Sequence, residues 1–332
     1  MAEALASLMG RRVLVTGAAG LVGSNLVARL VEDRAEVTVL VRDLDGGSPL
    51  APLVTGGRVR TVSGTLLDYA DVERALVESE AEFCFHLGAQ TLVPVASKVP
   101  LATFEANVMG TAHVMEAVRR HASFGTRVLV ASSDKAYGSA GERAYVEDLP
   151  LLGTQPYDAS KAAAEAVIRS YSQVYGVPVV TLRCANTYGP GDLNWSRLIP
   201  GALRAALRGE TLEVRSDGTP RRDYIHVDDV VTAYLLTAAR FDELALAGEA
   251  FNAGTGLATS VLELLGAIDV ACRTAAVETL QTRVLGTARH EIPFQVLDAS
   301  KMRARLGWSP TITLADGLTR TLPWYREVVA RG

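Results

Sequence analysis

The chain has 332 residues, 48% of them hydrophobic, enough for one large core with a smaller lobe or for two close domains. Its 33 basic residues are scattered among 37 acidic ones for a net charge of −4, which argues against a nucleic-acid or acidic-membrane surface. No apolar run reaches the length of a membrane span, and the start, MAEALASLMGRR, has no basic stretch ahead of an apolar core, so a cytoplasmic protein without a signal peptide is expected.

The first predicted strand is RVLVTG (residues 12–17), with a helix near 21–33. Between them, VLVTGAAGLVGSNL carries Thr16-Gly17-x-x-Gly20-x-x-Gly23. Gly17 permits a tight turn, Gly20 lets the backbone approach a pyrophosphate, and Gly23 lets helix and strand pack closely. The helix N-terminus adds N–H groups and a positive dipole end. This is the pattern of a dinucleotide-binding turn. The next strand, EVTVLVRD (36–43), ends in Arg42-Asp43. An acid there binds adenosine ribose hydroxyls, whereas an arginine meets the 2′-phosphate of NADP. Both signals are present; Arg42 comes first as the chain leaves the sheet and tilts the reading from NAD to NADP.

VRTVSG (59–64), FCFHLGA (83–89), TRVLVASS (126–133) and PVVTLRCAN (178–186) follow as strands, with helices predicted near 70–79, 101–121 and 157–175. The strands are Val- and Leu-rich with little alternation, as expected when helices cover both faces. The fold class is therefore α/β, a doubly wound parallel sheet. Residues 1–188 make the dinucleotide-binding domain, and the chain returns to it near 221–255. After about residue 190 the rhythm weakens, and residues 189–332 make mainly a smaller α/β substrate lobe. Cys84, Cys184 and Cys272 lack metal-ligand spacing and read as reduced core thiols. His86 and His226 read as core or supporting residues. Asp228 and Asp229 read as N-caps of a helix at 230–239. No metal site is expected.

PYDASKAAAE places Tyr157 and Lys161 four apart at a helix start, on one face. An ammonium near a phenol stabilises phenolate, which can take a proton from a substrate hydroxyl. Ser133 ends an earlier strand, and Asp134-Lys135 follow it.

With these motifs in view, the chain resembles the extended short-chain dehydrogenase/reductase family, the nucleotide-sugar epimerases and dehydratases. HLGAQ (86–90), NVMGT (107–111), RCANTYGPGD (183–192), RRDYIHVDD (221–229) and LGWSP (306–310) extend the likeness from Arg12 to about Tyr325. The resemblance implies a Rossmann-type fold and a catalytic set of Ser133, Tyr157 and Lys161. Further cofactor contacts are implied at Leu21, Val22, Leu66, Leu87, Ala89 and Asn107. Asn186 and Arg222 would hold a sugar-nucleotide diphosphate, Leu198, Ile199 and Arg215 would grip base and ribose, and Gln90 would face sugar or nicotinamide. The helices at 101–121 and 157–175 resemble those that pair as a four-helix bundle in a homodimer, with Ala162, Ala163, Ala164 and Ala166 permitting close approach.

SSDKAYG resembles the Asp-Lys form of the family's 4,6-dehydratases, the CDP-glucose 4,6-dehydratase type. That chemistry oxidises C4 of an NDP-hexose, removes the C5 proton and the C6 hydroxyl as water, and returns the hydride to C6. Asp134 is implied as acid and Lys135 as base; the lysine has to be uncharged for that, which burial or nearby positive charge favours. GDLNWSRLIP, Arg215 in EVRSDG and RHEIPFQVLDASK are similar to the same type. The GAAGLVG loop and Asp223-Tyr224 depart from it, and the VRD strand end is closer to GDP-mannose 4,6-dehydratases, which leaves the nucleotide open. The alternatives are a C4-epimerase and a non-catalytic NAD(P)-binding sensor.

Overall fold

The computed structural model describes residues 8–44, 46–287 and 291–331. The start of the chain at residues 1–7, and Arg289 and His290 of the RHEIPF stretch, lie outside them.

The strands in chain order are β1 Arg12–Thr16, β2 Glu36–Val41, β3 Arg60–Ser63, β4 Phe83–His86, β5 Arg127–Ser133, β6 Val179–Cys184 and β7 Asn186–Tyr188. After them come β8 Thr211–Val214, β9 Arg221–Arg222, β10 Tyr224–His226, β11 Ala250–Ala253, β12 Thr259–Ser260, β13 Gln281–Val284 and β14 Phe294–Gln295. Seven of these form one sheet in the order β11-β6-β5-β4-β1-β2-β3, and every neighbouring pair is parallel. Short two- and three-stranded sheets built from the others form the second half of the chain.

The main helices are α1 Leu21–Glu32, α2 Tyr69–Ser79, α3 Gly110–Arg120, α4 Pro156–Tyr175, α5 Leu198–Arg208, α6 Val227–Ala239, α7 Val261–Thr274 and α8 Leu314–Arg331. The strand period of two sends alternate residues into two cores. Val13, Val15, Phe85, Leu129 and Leu182 face one side, with Leu26 and Leu30 of α1 and Leu235 of α6. Leu14, Cys84, Val128 and Val130 face the other, with Leu76 of α2, Val114 and Val118 of α3 and Ile168 of α4. Both sets are apolar, so the strand sequences show little alternation. A third core joins α5, α7 and α8 through Leu203, Ile268 and Leu322.

The helix expected near 101–121 is interrupted. Pro100–Phe104 is helical, Glu105–Met109 forms a single wide π turn, and α3 follows. That turn swings Asn107 inward, where its Oδ1 accepts from Gln90 N at 2.7 Å and its Nδ2 donates to Gln90 O and to Ser160 Oγ. The expected caps of α6 are also corrected. The helix begins at Val227, three residues early, so His226 is the N-cap and its Nδ1 accepts from Asp228 N. Asp228 and Asp229 occupy the first turn instead. Asp229 is buried and accepts from Thr311 N, Thr311 Oγ1 and Ile312 N, tying the approach to α8 onto α6.

Candidate active site

The strand order reverses between β1 and β4, so a crevice opens at their carboxyl ends, where doubly wound sheets bind ligands. A cavity of about 570 Å³ lies there. Gly17, Gly20, Leu21 and Val22 line it beside Leu87 and Ala89 from the loop after β4. Ser133, Asp134 and Lys135 reach it from the end of β5, and Tyr157 and Lys161 from the first turns of α4. Asn186, Leu198, Ile199 and Arg222 complete the side away from the glycine turn.

The glycine turn fits a dinucleotide. Gly17 has a φ of 71°, and a Cβ there would lie 2.5 Å from Gly88 N. A Cβ on Gly23 would collide with the Gly17 carbonyl, whereas one on Gly20 would meet nothing closer than 3.4 Å. Gly20 is the N-cap of α1 with no capping side chain, which leaves first-turn N–H groups for an anionic ligand.

At the strand end, the Ser133 hydroxyl donates to Asp134 Oδ1 at 2.9 Å and accepts from Lys135 N. It also lies near enough to the Tyr157 phenol to pull its pKa downward. Asp134 is buried, and its Oδ2 accepts from Asn186 Nδ2 at 3.3 Å. Gln295 holds both members of the pair: its Oε1 accepts from Lys135 Nζ at 3.0 Å, and its Nε2 donates to the Asp134 carbonyl.

The expected phenolate is not favoured in this arrangement. Burial pushes the Tyr157 phenol well above its ordinary pKa, outweighing the lowering effects of Ser133 and Arg197. The Lys161 ammonium donates to the Ala131 carbonyl at 2.8 Å. Burial lowers it to about 8, against the opposing pull of Glu165. Burial, with Lys161 nearby, holds His86 down at about 3. Its neutral ring bridges Thr16 Oγ1 and Thr111 Oγ1.

Six sequence candidates lie off the cavity wall. Arg42 and Asp43 are exposed and paired to each other at 2.9 Å. Leu66 packs against Gly88 and Gly110. Asn107 and Gln90 are spent on one another as described, and Gln90 Oε1 also accepts from Leu92 N. Arg215 is exposed at the end of β8. Arg222 does line the cavity, but its Nη2 pairs with Glu291 at 3.2 Å and its Nη1 donates to the Arg221 and Ile292 carbonyls. The nearby acids in the chain are engaged elsewhere, Asp223 with Thr255, Gly256 and Leu297, and Asp228 with His226. Cys84 and Cys272 are buried free thiols, but Cys184 lines the cavity and is not a core thiol.

Sequence reasoning missed Thr91, Arg197, Tyr224, Tyr234 and Glu291 on the cavity wall, and Gln295 behind it. Glu291 and Gln295 lie in RHEIPFQVLDASK, Arg197 in GDLNWSRLIP and Tyr224 in RRDYIHVDD, so those stretches carried a signal without marking the residues; Thr91 and Tyr234 have no spacing signal. A second depression of about 810 Å³, lined in part by Asp217, Arg221 and Phe294, shares Glu291 with this cavity and contains none of the catalytic candidates. Among the described residues, no helix is long and apolar enough to cross a membrane, and no three His, Cys, Asp or Glu side chains are grouped to hold a metal.

Comparison with known proteins agrees with this geometry. The sequence model of the NAD dependent epimerase/dehydratase family matches residues 13–254. A dTDP-glucose 4,6-dehydratase of Xanthomonas campestris is 32% identical, with 94% of this chain and 92% of the relative aligned. A UDP-glucose 4-epimerase of Mycolicibacterium smegmatis is 34% identical over 95% of this chain and 99% of the relative. Among solved structures, a dTDP-glucose 4,6-dehydratase of Streptomyces venezuelae with NAD bound superposes with a TM-score of 0.85 at 32% identity, covering 95% of this chain and 97% of that one. A parallel sheet with its glycine turn at the switch point, a Ser-Tyr-Lys set facing the same cavity and a match over most of the chain lead to one conclusion: the chain belongs to the NAD dependent epimerase/dehydratase family.

Proposed function

We propose that the protein is a nucleotide-sugar 4,6-dehydratase that uses NAD. The observation that carries this reading is the Asp134–Lys135 pair, which enters the cavity beside Ser133 and Tyr157. A C4-epimerase needs proton transfer at C4 alone, whereas water loss needs an acid and a base at C5 and C6 as well. Relatives named dTDP-glucose 4,6-dehydratase support the same reaction.

Tyr157 must first become a phenolate, against the burial that keeps it protonated. With the charged cofactor bound, the Ser133 hydroxyl and the Lys161 charge would favour that form, which takes the C4 hydroxyl proton. A nicotinamide held against the glycine turn would supply the redox chemistry, hydride uptake at C4 and hydride return at C6. Lys135 removes the C5 proton and Asp134 donates to the departing C6 hydroxyl, so one water leaves; Lys135 then returns a proton to C5 as hydride reaches C6. Gln295 aims the Lys135 ammonium and steadies the backbone at Asp134. Asn186 and Arg222 receive the diphosphate, and its charge competes with Glu291 for the guanidinium. NAD is favoured because Asp43 neutralises Arg42, the one residue pointing to NADP, and dehydratase neighbours are solved with NAD. The Asp-Lys form favours CDP-glucose; relatives named for dTDP-glucose and UDP-glucose make these the first alternatives.

One observation favours the epimerase reading. Both members of the pair are already bonded within the protein, as a purely structural strand end would be. A panel of CDP-, dTDP-, UDP- and GDP-hexoses, read by mass spectrometry for water loss, separates the two. Under the dehydratase reading, Asp134→Asn and Lys135→Ala each cut water loss by about two orders of magnitude or more, while C4 oxidation persists as bound reduced cofactor. Interconversion of C4 epimers by wild type and both variants, with no water lost from any sugar, would establish the epimerase instead.

We further propose a homodimer through the outer faces of α3, α4 and the helical segment before α3, which present Leu101, Phe104 and Met109 to solvent. Ala162, Ala163 and Ala166 of α4 are accessible there, whereas Ala164 is buried against the protein itself.

A further inference from the structure

We propose that the Tyr234 hydroxyl anchors the carboxamide of the nicotinamide ring. Tyr234 sits on α6 with none of its surface exposed, its ring edge-on against Phe85 with centroids 6.2 Å apart. Among the described residues no oxygen or nitrogen partners its Oη. Yet Tyr234 lines the cavity, with the Cys184 thiol as its polar neighbour and the Tyr157 phenol within electrostatic range. A thiol is a weak hydrogen-bonding partner. Phenylalanine would fill the same space and leave nothing unpaired, so a hydroxyl kept at a cavity wall points to a partner that a ligand brings.

The surroundings select the kind of ligand group. Anionic groups have other seats, the start of α1 and Arg222. Burial pushes the Tyr234 phenol far up in pKa, so it stays neutral and protonated. It therefore suits a neutral group able to accept and to donate. Tyr157 marks the end of the cavity where C4 is oxidised, and Tyr234 lines the same cavity within electrostatic range of it. At that end of a dinucleotide the neutral polar group beyond the ribose is the carboxamide, whose carbonyl accepts and whose amide N–H donates. Tyr234 is thus a positioning residue: it fixes the rotation of the nicotinamide ring and hence the face turned to the sugar.

This contact rests on the cavity holding the dinucleotide and is independent of the sugar. Calorimetry on the full chain, freed of copurified dinucleotide, gives Kd for NAD+ and for ADP-ribose, which lacks the nicotinamide. Tyr234→Phe is expected to weaken NAD+ about tenfold and to leave ADP-ribose unchanged. The free variant is expected to melt at the same temperature as wild type or higher, because an unpaired hydroxyl has been removed. Equal NAD+ affinity in variant and wild type overturns the proposal. So does an equal loss for both ligands, which marks general damage to the cavity. Wild-type protein that binds neither ligand overturns the cavity assignment itself.

Discussion

Lys161 is buried among α4 and β5 with its ammonium on a single backbone carbonyl, and burial depresses it from 10.5 to about 8. A lysine with a lowered folded pKa costs stability wherever it is charged: the penalty is full below about 8 and vanishes above the unfolded value near 10.5. Lys161→Met is therefore expected to unfold at higher denaturant than wild type at pH 7, by at most about 3 kcal/mol, with the lost carbonyl bond reducing the gain. The difference between the two proteins should close as pH rises from about 8 to 10.5. Turnover should be lost in the same variant. A variant less stable than wild type at pH 7 would mean that the ammonium holds the fold together and the charge is not kept for catalysis. The sequence showed that Tyr157 and Lys161 share a helix face. It could not show that burial dominates both groups, because burial is set by elements far away in the chain.

At the scale of elements, α4, the helix that carries Tyr157 and Lys161, is fixed to the sheet by charge. Glu165 of α4 accepts from Arg183 of β6 through Nε at 3.0 Å and Nη2 at 2.7 Å, and both side chains are 6% exposed. Arg183 Nη1 also donates to Tyr137 Oη and to the Glu147 carbonyl, and Ser132 Oγ donates to Glu165. This network joins β5, β6 and α4 one turn below Lys161. Arg183→Met would strand Glu165 as a buried, unpaired carboxylate, at a cost of about 3–5 kcal/mol in urea unfolding. Adding Glu165→Met should recover much of that loss. If the double variant is no better than the single one, packing and not charge pairing carries the junction. Strand and helix positions in the first 185 residues were legible because apolar runs and amphipathic periods are local signals. The seventh strand, β11, was not, since AFNA is too short to read apart from β6, its partner. The wide turn at Glu105–Met109 was equally hidden: Asn107 draws the chain inward toward Gln90 and Ser160, partners distant in sequence. Tyr234 escaped for the same reason. Its role comes from what faces it across the cavity, and its own neighbours in the sequence carry no pattern.

At the scale of the whole molecule, α4 has two faces with two tasks. Tyr157, Lys161 and Ala164 are buried, the first two on the cavity, while Ala162, Ala163 and Ala166 remain accessible beside a segment that exposes Leu101 at 71% and Met109 at 50%. An apolar strip of this kind, with small side chains that allow helices to approach, suits a partner helix of the same sequence. In a twofold dimer each residue near the axis is met by its own copy, so any substitution acts twice. Light scattering at micromolar concentration is expected to give about twice the chain mass of 35.3 kDa. Ala163→Arg would place two guanidinium groups near one axis and should yield monomers. Because the same helix carries Tyr157 and Lys161, the proposed catalytic pair, the monomeric variant should also lose turnover beyond what its folded fraction explains. A wild-type protein that scatters as a single 35.3 kDa chain would remove the dimer, and the exposed strip would then need another partner. A monomeric Ala163→Arg protein with full turnover would show instead that the cavity side of α4 keeps its geometry without support from the opposite face.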